Sequence, residues 1–404
     1  MRRSGTLSRM KQRLAAVAVG IVAAVAVPAL PARADVIRDD EWHLRYLNVA
    51  EANQHTRGEG VTVAIVDRGV DRAHDDLAGA VLDPVYVTGR SDESPSPSPT
   101  DAPVADPDGH GTALAGAIAG RGHGDGNGDG VIGVAPAAKV LPVVLSTPAD
   151  RAPGPDEIAD GIELAISQRV RVIVVGYSVA GSDRLAQAIR DARDADAMVV
   201  AADGDQPNRD FEPYPAAYEG VLAAVPLSRA GDMRVRSTSG RRLGLGVPGF
   251  QIMTTNSGNR YRVDDGSASP GLLAGAIALV RSAYPDAKAP EIVRRLTLTA
   301  VDAGPKGVDS EYGLGRLDLV QALIRRLPSP SPSPSVQASA IGASPAPAPV
   351  VTTPPPPRSR GEYGWLLGLP LLAVLAGLVA YAGVAERRIR ISARDEVDSV
   401  GVQS

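Results

Sequence analysis

Short, apolar, β-branched runs punctuate the first three-quarters of the chain. Val61 to Val66, Val140 to Leu145, Val170 to Val175, Ala197 to Ala202 and Val221 to Val225 are the clearest. Each is too short for a helix and apolar at most successive positions, which is the pattern of a strand buried on both faces. Helical stretches lie between them, for example Asp156 to Gln168 and Ser182 to Ala195. Strands alternating with helices predict an α/β domain over residues 35–326, with a mostly parallel sheet between two helical layers. The run Leu272 to Val280 has no polar face and predicts a helix buried on all sides. The stretch 90–108, rich in Ser, Pro and Asp, predicts a surface loop.

The ends of the chain follow different patterns. Residues 1–34 carry Arg2, Arg3, Arg9, Lys11 and Arg13, then an apolar run Leu14 to Val27, then Ala32-Arg33-Ala34. This is the layout of a secretory signal peptide, an uncleaved anchor being the alternative. Residues 327–362 repeat Pro with Ser and Ala and predict an extended linker that packs no core. Residues 363–385, from Tyr363 to Ala385, are uncharged. As a helix they would extend roughly 34 Å, enough to cross a bilayer. Arg387, Arg388, Arg390 and Arg394 follow in the tail 386–404, so positive-inside orientation puts that tail in the cytoplasm and the α/β domain outside. The expectation is a single-pass cell-membrane protein, with Tyr363 and Trp365 at the interface.

Composition narrows the chemistry. With two Phe and two Trp in 404 residues, the core must be aliphatic. The net charge of −4 gives no basic field for nucleic acid. The absence of cysteine excludes disulfides, a Cys-ligated zinc site and a thiol nucleophile. Residues 35–60, between signal peptide and first strand, are too few for a separate folded propeptide and predict an N-terminal arm wrapped on the domain.

Three segments carry candidate chemistry. Asp67-Arg68-Gly69-Val70 directly follows the first strand, and carboxyl ends of strands are where α/β sheets place ligands. Gly109-His110-Gly111-Thr112 opens a small-residue helix and leaves an imidazole accessible. Gly266-Ser267 leads into the buried helix, where a hydroxyl meets backbone N–H groups and the positive end of the helix dipole.

In this order the segments resemble the subtilisin family of serine proteases over about residues 60–325. Val61 to Asp71 is similar to its Asp motif, and Gly109 to Gly116 to its His motif. Gly133-Val134-Ala135-Pro136, Tyr214-Pro215-Ala216 and Glu311 to Asp318 match further landmarks. The resemblance implies a subtilisin-like fold and acyl transfer from peptide bonds. Ser267 would be the nucleophile, His110 the general base and Asp67 its orienting partner, with no cofactor required. Protein or peptide substrates would lie extended beside the strand end Gly176-Tyr177-Ser178, which replaces the family's Asn-x-Ser. The order of signal peptide, arm, protease domain, linker and span is similar to the mycosins of type VII secretion systems, implying such a membrane complex as partner.

The family pattern breaks in places. Asp265-Gly266-Ser267-Ala268-Ser269-Pro270 is irregular. Counting back from Ala274-Gly275 without a gap gives Ser267; anchoring on Pro270 with a gap gives Ala268. At the oxyanion position, where the family has Asn, stands Asp205. An ionised carboxylate cannot donate, and losing one such donor costs about 2.7–4 kcal/mol. Asp205 therefore predicts weak activity shifted towards acid. A catalytically impaired homologue, binding peptide or stabilising a secretion assembly, is the alternative function. The loop Asp125 to Gly130 lacks the Glu of an EF-hand. In the family this loop shares a structural calcium, at positions matching Asp76 and Asn127; a solvated Gly/Asp turn is the other reading.

Overall fold

The computed structural model describes residues 36–87, 106–145, 147, 151–203, 213–233, 243–309 and 311–328. The expected signal peptide and linker beyond Pro328, the apolar run 363–385, the residues after it and Asp205 lie outside them. Among the described residues no helix is long and apolar enough to cross a membrane.

The expected strands form, and others join them. They are β1 (Thr62–Asp67), β2 (Val85–Tyr86), β3 (Arg121–His123), β4 (Asp129–Ile132), β5 (Lys139–Val144), β6 (Val172–Val175), β7 (Met198–Ala202), β8 (Leu222–Leu227), β9 (Leu243–Pro248), β10 (Phe250–Asn256) and β11 (Arg260–Asp265). Seven make one sheet in the order β2-β5-β1-β6-β7-β8-β9, and every neighbouring pair is parallel. The hairpins β3-β4 and β10-β11 are antiparallel and lie outside it. The chain goes from β1 to one side for β5 and then to the other for β6. The carboxyl end of β1, where Asp67 stands, is therefore a topological switch point, the crevice that open parallel sheets offer to ligands.

The longer helices are α1 (His110–Ala119), α2 (Pro155–Ser167), α3 (Asp183–Asp194), α4 (Ser269–Ala283), α5 (Ala289–Thr299) and α6 (Leu319–Ile324). Strand periodicity divides the core. Val63, Ile65, Val172, Val174 and Val200 point to the layer holding α1 and α4. Ala64, Val66, Ile173, Val175 and Val199 point to the layer holding α2 and α3. Each fully buried Ile or Leu contributes about 1.5–3 kcal/mol, so both layers are strongly specified.

α4 is buried from Ser269 to Arg281, as the unbroken apolar run predicts. It crosses α1 closely at Gly271, where a Cβ would lie 3.0 Å from the Leu114 carbonyl oxygen. That contact packs the first turn of α4 against the middle of α1. The hairpin β10-β11 clamps α1 from outside, with Thr254 Oγ1 donating to the Ala113 carbonyl at 2.8 Å and Thr255 Oγ1 to that of Thr112 at 2.6 Å.

The N-terminal arm consists of short helical turns at Val36–Asp39, Trp42–Tyr46 and Val49–Ala52. Trp42 is buried and donates its indole N–H to the Gln251 carbonyl at 2.9 Å. The last part of the expected 90–108 loop behaves differently from a surface loop: Asp106 is buried and holds the amino end of α1.

Candidate active site

Asp67 ends β1 with its carboxylate almost wholly buried, and His110 opens α1 directly against it. His110 Nδ1 lies 2.8 Å from Asp67 Oδ2. The other carboxylate oxygen, Oδ1, accepts the Arg68 N–H at 2.7 Å and the Tyr177 hydroxyl at 3.1 Å. Both oxygens are thus satisfied, which fixes the plane of the carboxylate and, through it, the tautomer in which His110 Nδ1 carries the proton.

α1 begins in a tight set of bonds that the sequence reading did not single out. Asp106 Oδ1 accepts the Gly109 N–H at 3.1 Å, and Oδ2 accepts the N–H of Thr112 at 2.7 Å and its hydroxyl at 2.6 Å. Thr112 Oγ1 in turn accepts the Asp71 N–H at 2.9 Å, tying α1 to the loop after Asp67. Burial pushes the Asp106 carboxyl up to about 6 despite these donors. An acidic residue just before a helix is the capping signal that marks such a role.

Three carboxylates face the imidazole. Burial alone would lower the His110 pKa, but Asp67, followed by Asp264 and Asp108, overcomes it and raises the value to about 9. A general base must be neutral, so this arrangement moves the base limb of any reaction in the alkaline direction. That runs against the acid-shifted profile expected from Asp205 alone.

Of the strand-end residues, Gly176 and Tyr177 meet the pair directly. A Cβ on Gly176 would fall 2.1 Å from Asp67 Oδ2 and 2.8 Å from His110 Cε1. A side chain there would displace the Asp67 carboxylate or the imidazole from the positions they hold in this chain. Tyr177 lies with its ring 5.6 Å from that of His110, and Arg68 Nε donates to its hydroxyl at 3.1 Å. Burial, then the charges of Asp67 and Asp108, push the Tyr177 phenol well above its ordinary value, so it stays a donor. Ser178 follows, half-buried, before Val179 pairs with Tyr214.

Ser267 sits just outside α4, whose first residue is Ser269. Its Oγ donates to Asp264 Oδ2 at 2.6 Å rather than to His110. Ser269 is fully buried and donates to the Gly266 carbonyl at 2.7 Å, which makes it a first-turn structural residue. Ala268 is buried too, and its N–H goes to Asp264 Oδ1 at 2.7 Å. Asp264, absent from the sequence reading, lies on the strand Arg260–Asp265, whose alternation of Tyr261 and Val263 with arginines would place it on the polar face, yet Val263 is exposed and Asp264 buried.

The residues considered for calcium do not fit the ion. Asp76 is buried, but Oδ1 accepts from His123 Nδ1 at 2.6 Å and Oδ2 from the Val131 N–H at 2.7 Å. Asn127 presents its carbonyl to Arg38 Nη2 at 3.3 Å, and the same guanidinium reaches the carbonyls of Asp129 at 3.0 Å and Gly130 at 2.9 Å. A guanidinium from the arm and an imidazole thus meet the oxygens a metal would need. Among the described residues no group of three or more His, Cys, Asp or Glu is arranged to hold a metal.

The chain is similar to known peptidases. The subtilase family of peptidases, S8, matches residues 58–315. A thermostable alkaline protease of Halalkalibacterium halodurans is 34% identical over 190 residues, 46% of this chain and 51% of its own. Subtilisin DY of Bacillus licheniformis is 31% identical over 67% of this chain and 93% of its own. Among solved structures, the MycP3 protease from the type VII (ESX-3) secretion system has a TM-score of 0.56 at 25% identity, over 74% of this chain and 91% of that one. The chain spans about half the length, or less, of several curated relatives it matches.

Proposed function

This chain belongs to the subtilase family, and on that premise we propose that it is a membrane-anchored, extracytoplasmic serine endopeptidase using Asp67, His110 and Ser267. The observation that carries the reading is the Asp67–His110 pair at 2.8 Å, at the switch point of a parallel sheet, with Asp264, the partner of Ser267, near enough to act on the imidazole by its charge. Asp67 holds the imidazole with its proton on Nδ1, which leaves Nε2 to take the proton of Ser267 as Oγ attacks a peptide carbonyl. The same proton then goes to the leaving amine. Substrate would lie extended along Gly176-Tyr177-Ser178. Asp205, at the family's oxyanion position, would weaken the reaction when ionised. No step needs a cofactor.

The signal-like start, the apolar run 363–385 and its arginine flank support anchoring, with the protease domain outside the cell membrane. The similarity to a protease of a type VII secretion system supports work beside such an assembly. One observation favours the second reading, an impaired homologue that binds peptide: Ser267 donates to Asp264 and not to His110.

A fluorophosphonate probe separates the readings, because it reacts only with an activated serine. The full chain should be labelled, Ser267→Ala should abolish the label and Ser269→Ala should keep it. Absence of label on the folded parent chain and on an Asp264→Asn form would favour the impaired homologue. Protease added to intact cells should release the domain by cutting within the linker; protection until permeabilisation would overturn the topology.

A further inference from the structure

Asp264 stands one residue before the end of β11, three residues ahead of Ser267, and is 1% exposed. Its carboxylate is engaged on both sides. Oδ1 accepts the Ala268 N–H at 2.7 Å, and Oδ2 accepts the Ser267 hydroxyl at 2.6 Å, with Arg262 Nη2 at 3.5 Å. The hairpin that carries it is bonded to α1 through Thr254 and Thr255, and the Ala268 N–H holds the buried carboxylate itself.

A hydroxyl has one proton. While that proton is committed to Asp264, none is available to His110 Nε2. The O–H···O⁻ length is that of a charge-assisted bond, about twice as strong as one between neutral groups. We propose that Asp264 is a positioning residue that restrains the nucleophile, holding Ser267 in a resting orientation from which Oγ must turn to His110 before it can react. The proposal rests on the reading of Ser267 as nucleophile. Asp264 takes no proton in the step. Once Oγ has turned, the bond from Oγ to the electrophile forms as the hydroxyl proton passes to His110 Nε2, and the leaving group departs.

Two consequences follow from the chemistry of the pair. Asparagine at 264 keeps an amide oxygen for the Ala268 N–H and places an NH2 against Oγ. The amide then donates to Oγ and frees the hydroxyl proton for His110. The substitution also removes one of the three carboxylate charges that face the imidazole, leaving Asp67 and Asp108, with Tyr177 and Arg68 unchanged beside them.

The test is the second-order rate of fluorophosphonate labelling against pH, in the full chain, for the parent, Asp264→Asn and Asp264→Ser. Serine at 264 retains a short acceptor for the Ala268 N–H without the charge, and serves if the Asn form does not fold by circular dichroism. On the alkaline plateau, where His110 is neutral in every form, the variants should label about 10- to 100-fold faster, the range for exchanging a charged hydrogen bond for a neutral one. The inflection should also move towards acid, because a charge acting on the imidazole is gone; the faster plateau rate is the readout that a purely structural role for Asp264 would not produce. Folded variants that label at the parent rate or slower, with Ser267→Ala silent, overturn the restraint while leaving the nucleophile in place. Labelling that survives Ser267→Ala overturns the nucleophile itself. No labelling in the parent but labelling in the variants supports the restraint in its strongest form, and none in any form overturns it.

Discussion

Replacing Gly176 by Ala should disable the site while leaving the fold. A methyl there would sit 2.1 Å from Asp67 Oδ2, 2.8 Å from His110 Cε1 and 3.0 Å from His110 Nδ1. Ordinary carbon–oxygen contact begins near 3.4 Å, so the carboxylate must retreat by about 1 Å or the imidazole must tilt. Either movement stretches the 2.8 Å bond to a length at which it no longer orients the ring. A misplacement of about 1 Å costs on the order of 100-fold in rate, and complete loss of the Asp–His relation about 10⁴-fold. The expected loss therefore lies between those limits. The imidazole should report it too, falling from about 9 towards its ordinary value as the Asp67 contribution weakens. The assay is labelling rate against pH on the full chain, alongside an NMR titration of His110. A Gly176→Ala form that labels within about threefold of the parent, with His110 still titrating near the parent value, would refute the steric argument.

Tyr177→Phe removes one donor to Asp67 and leaves the Arg68 N–H; labelling on the alkaline plateau should fall about 10-fold with the melting temperature nearly unchanged. Arg38→Ala strips a guanidinium from the carbonyls of Asn127, Asp129 and Gly130 and from buried Glu41, so thermal unfolding should show a loss of about 1–3 kcal/mol while labelling of Ser267 is retained. Stability should also fall with rising pH. The folded-state pKa of His110 is raised to about 9 above its ordinary 6.5, so its contribution, at most about 3 kcal/mol, is complete below 6.5 and lost as pH rises through 9. Denaturant melts across that window should show the decline, and His110→Gln should flatten it.

Much of this protein was legible as pattern. The runs Val61–Val66, Val170–Val175 and Ala197–Ala202 became central strands because a parallel sheet covered on both faces demands apolar residues on both, Thr62 falling at the start of its strand and Arg171 just before its own. Leu272–Val280 became the buried helix for the same reason. Asp67 and His110 were identifiable because one ends a strand and the other opens a glycine-flanked helix, positions set by local sequence. The anchor and Asp205 lie outside the described residues, and remain statements of the sequence.

What tertiary structure decided lies in the polar segments. The strand Arg260–Asp265 alternates Tyr261 and Val263 with arginines, but in its two-stranded hairpin Val263 is exposed and Asp264 buried, and nothing local showed that Asp264 would face Ser267. Asp106 and Thr112 are six residues apart, and the bond between them needs the turn before α1 to close. The tight space at Gly176 arises from side chains distant in sequence, Asp67 and His110. The loop Asp125–Gly130 carried oxygen ligands in its sequence, but Arg38, about ninety residues earlier, met its carbonyls. Apolar periodicity records which face of an element is buried. Which polar group meets which depends on distances between elements, and only the packed chain sets those.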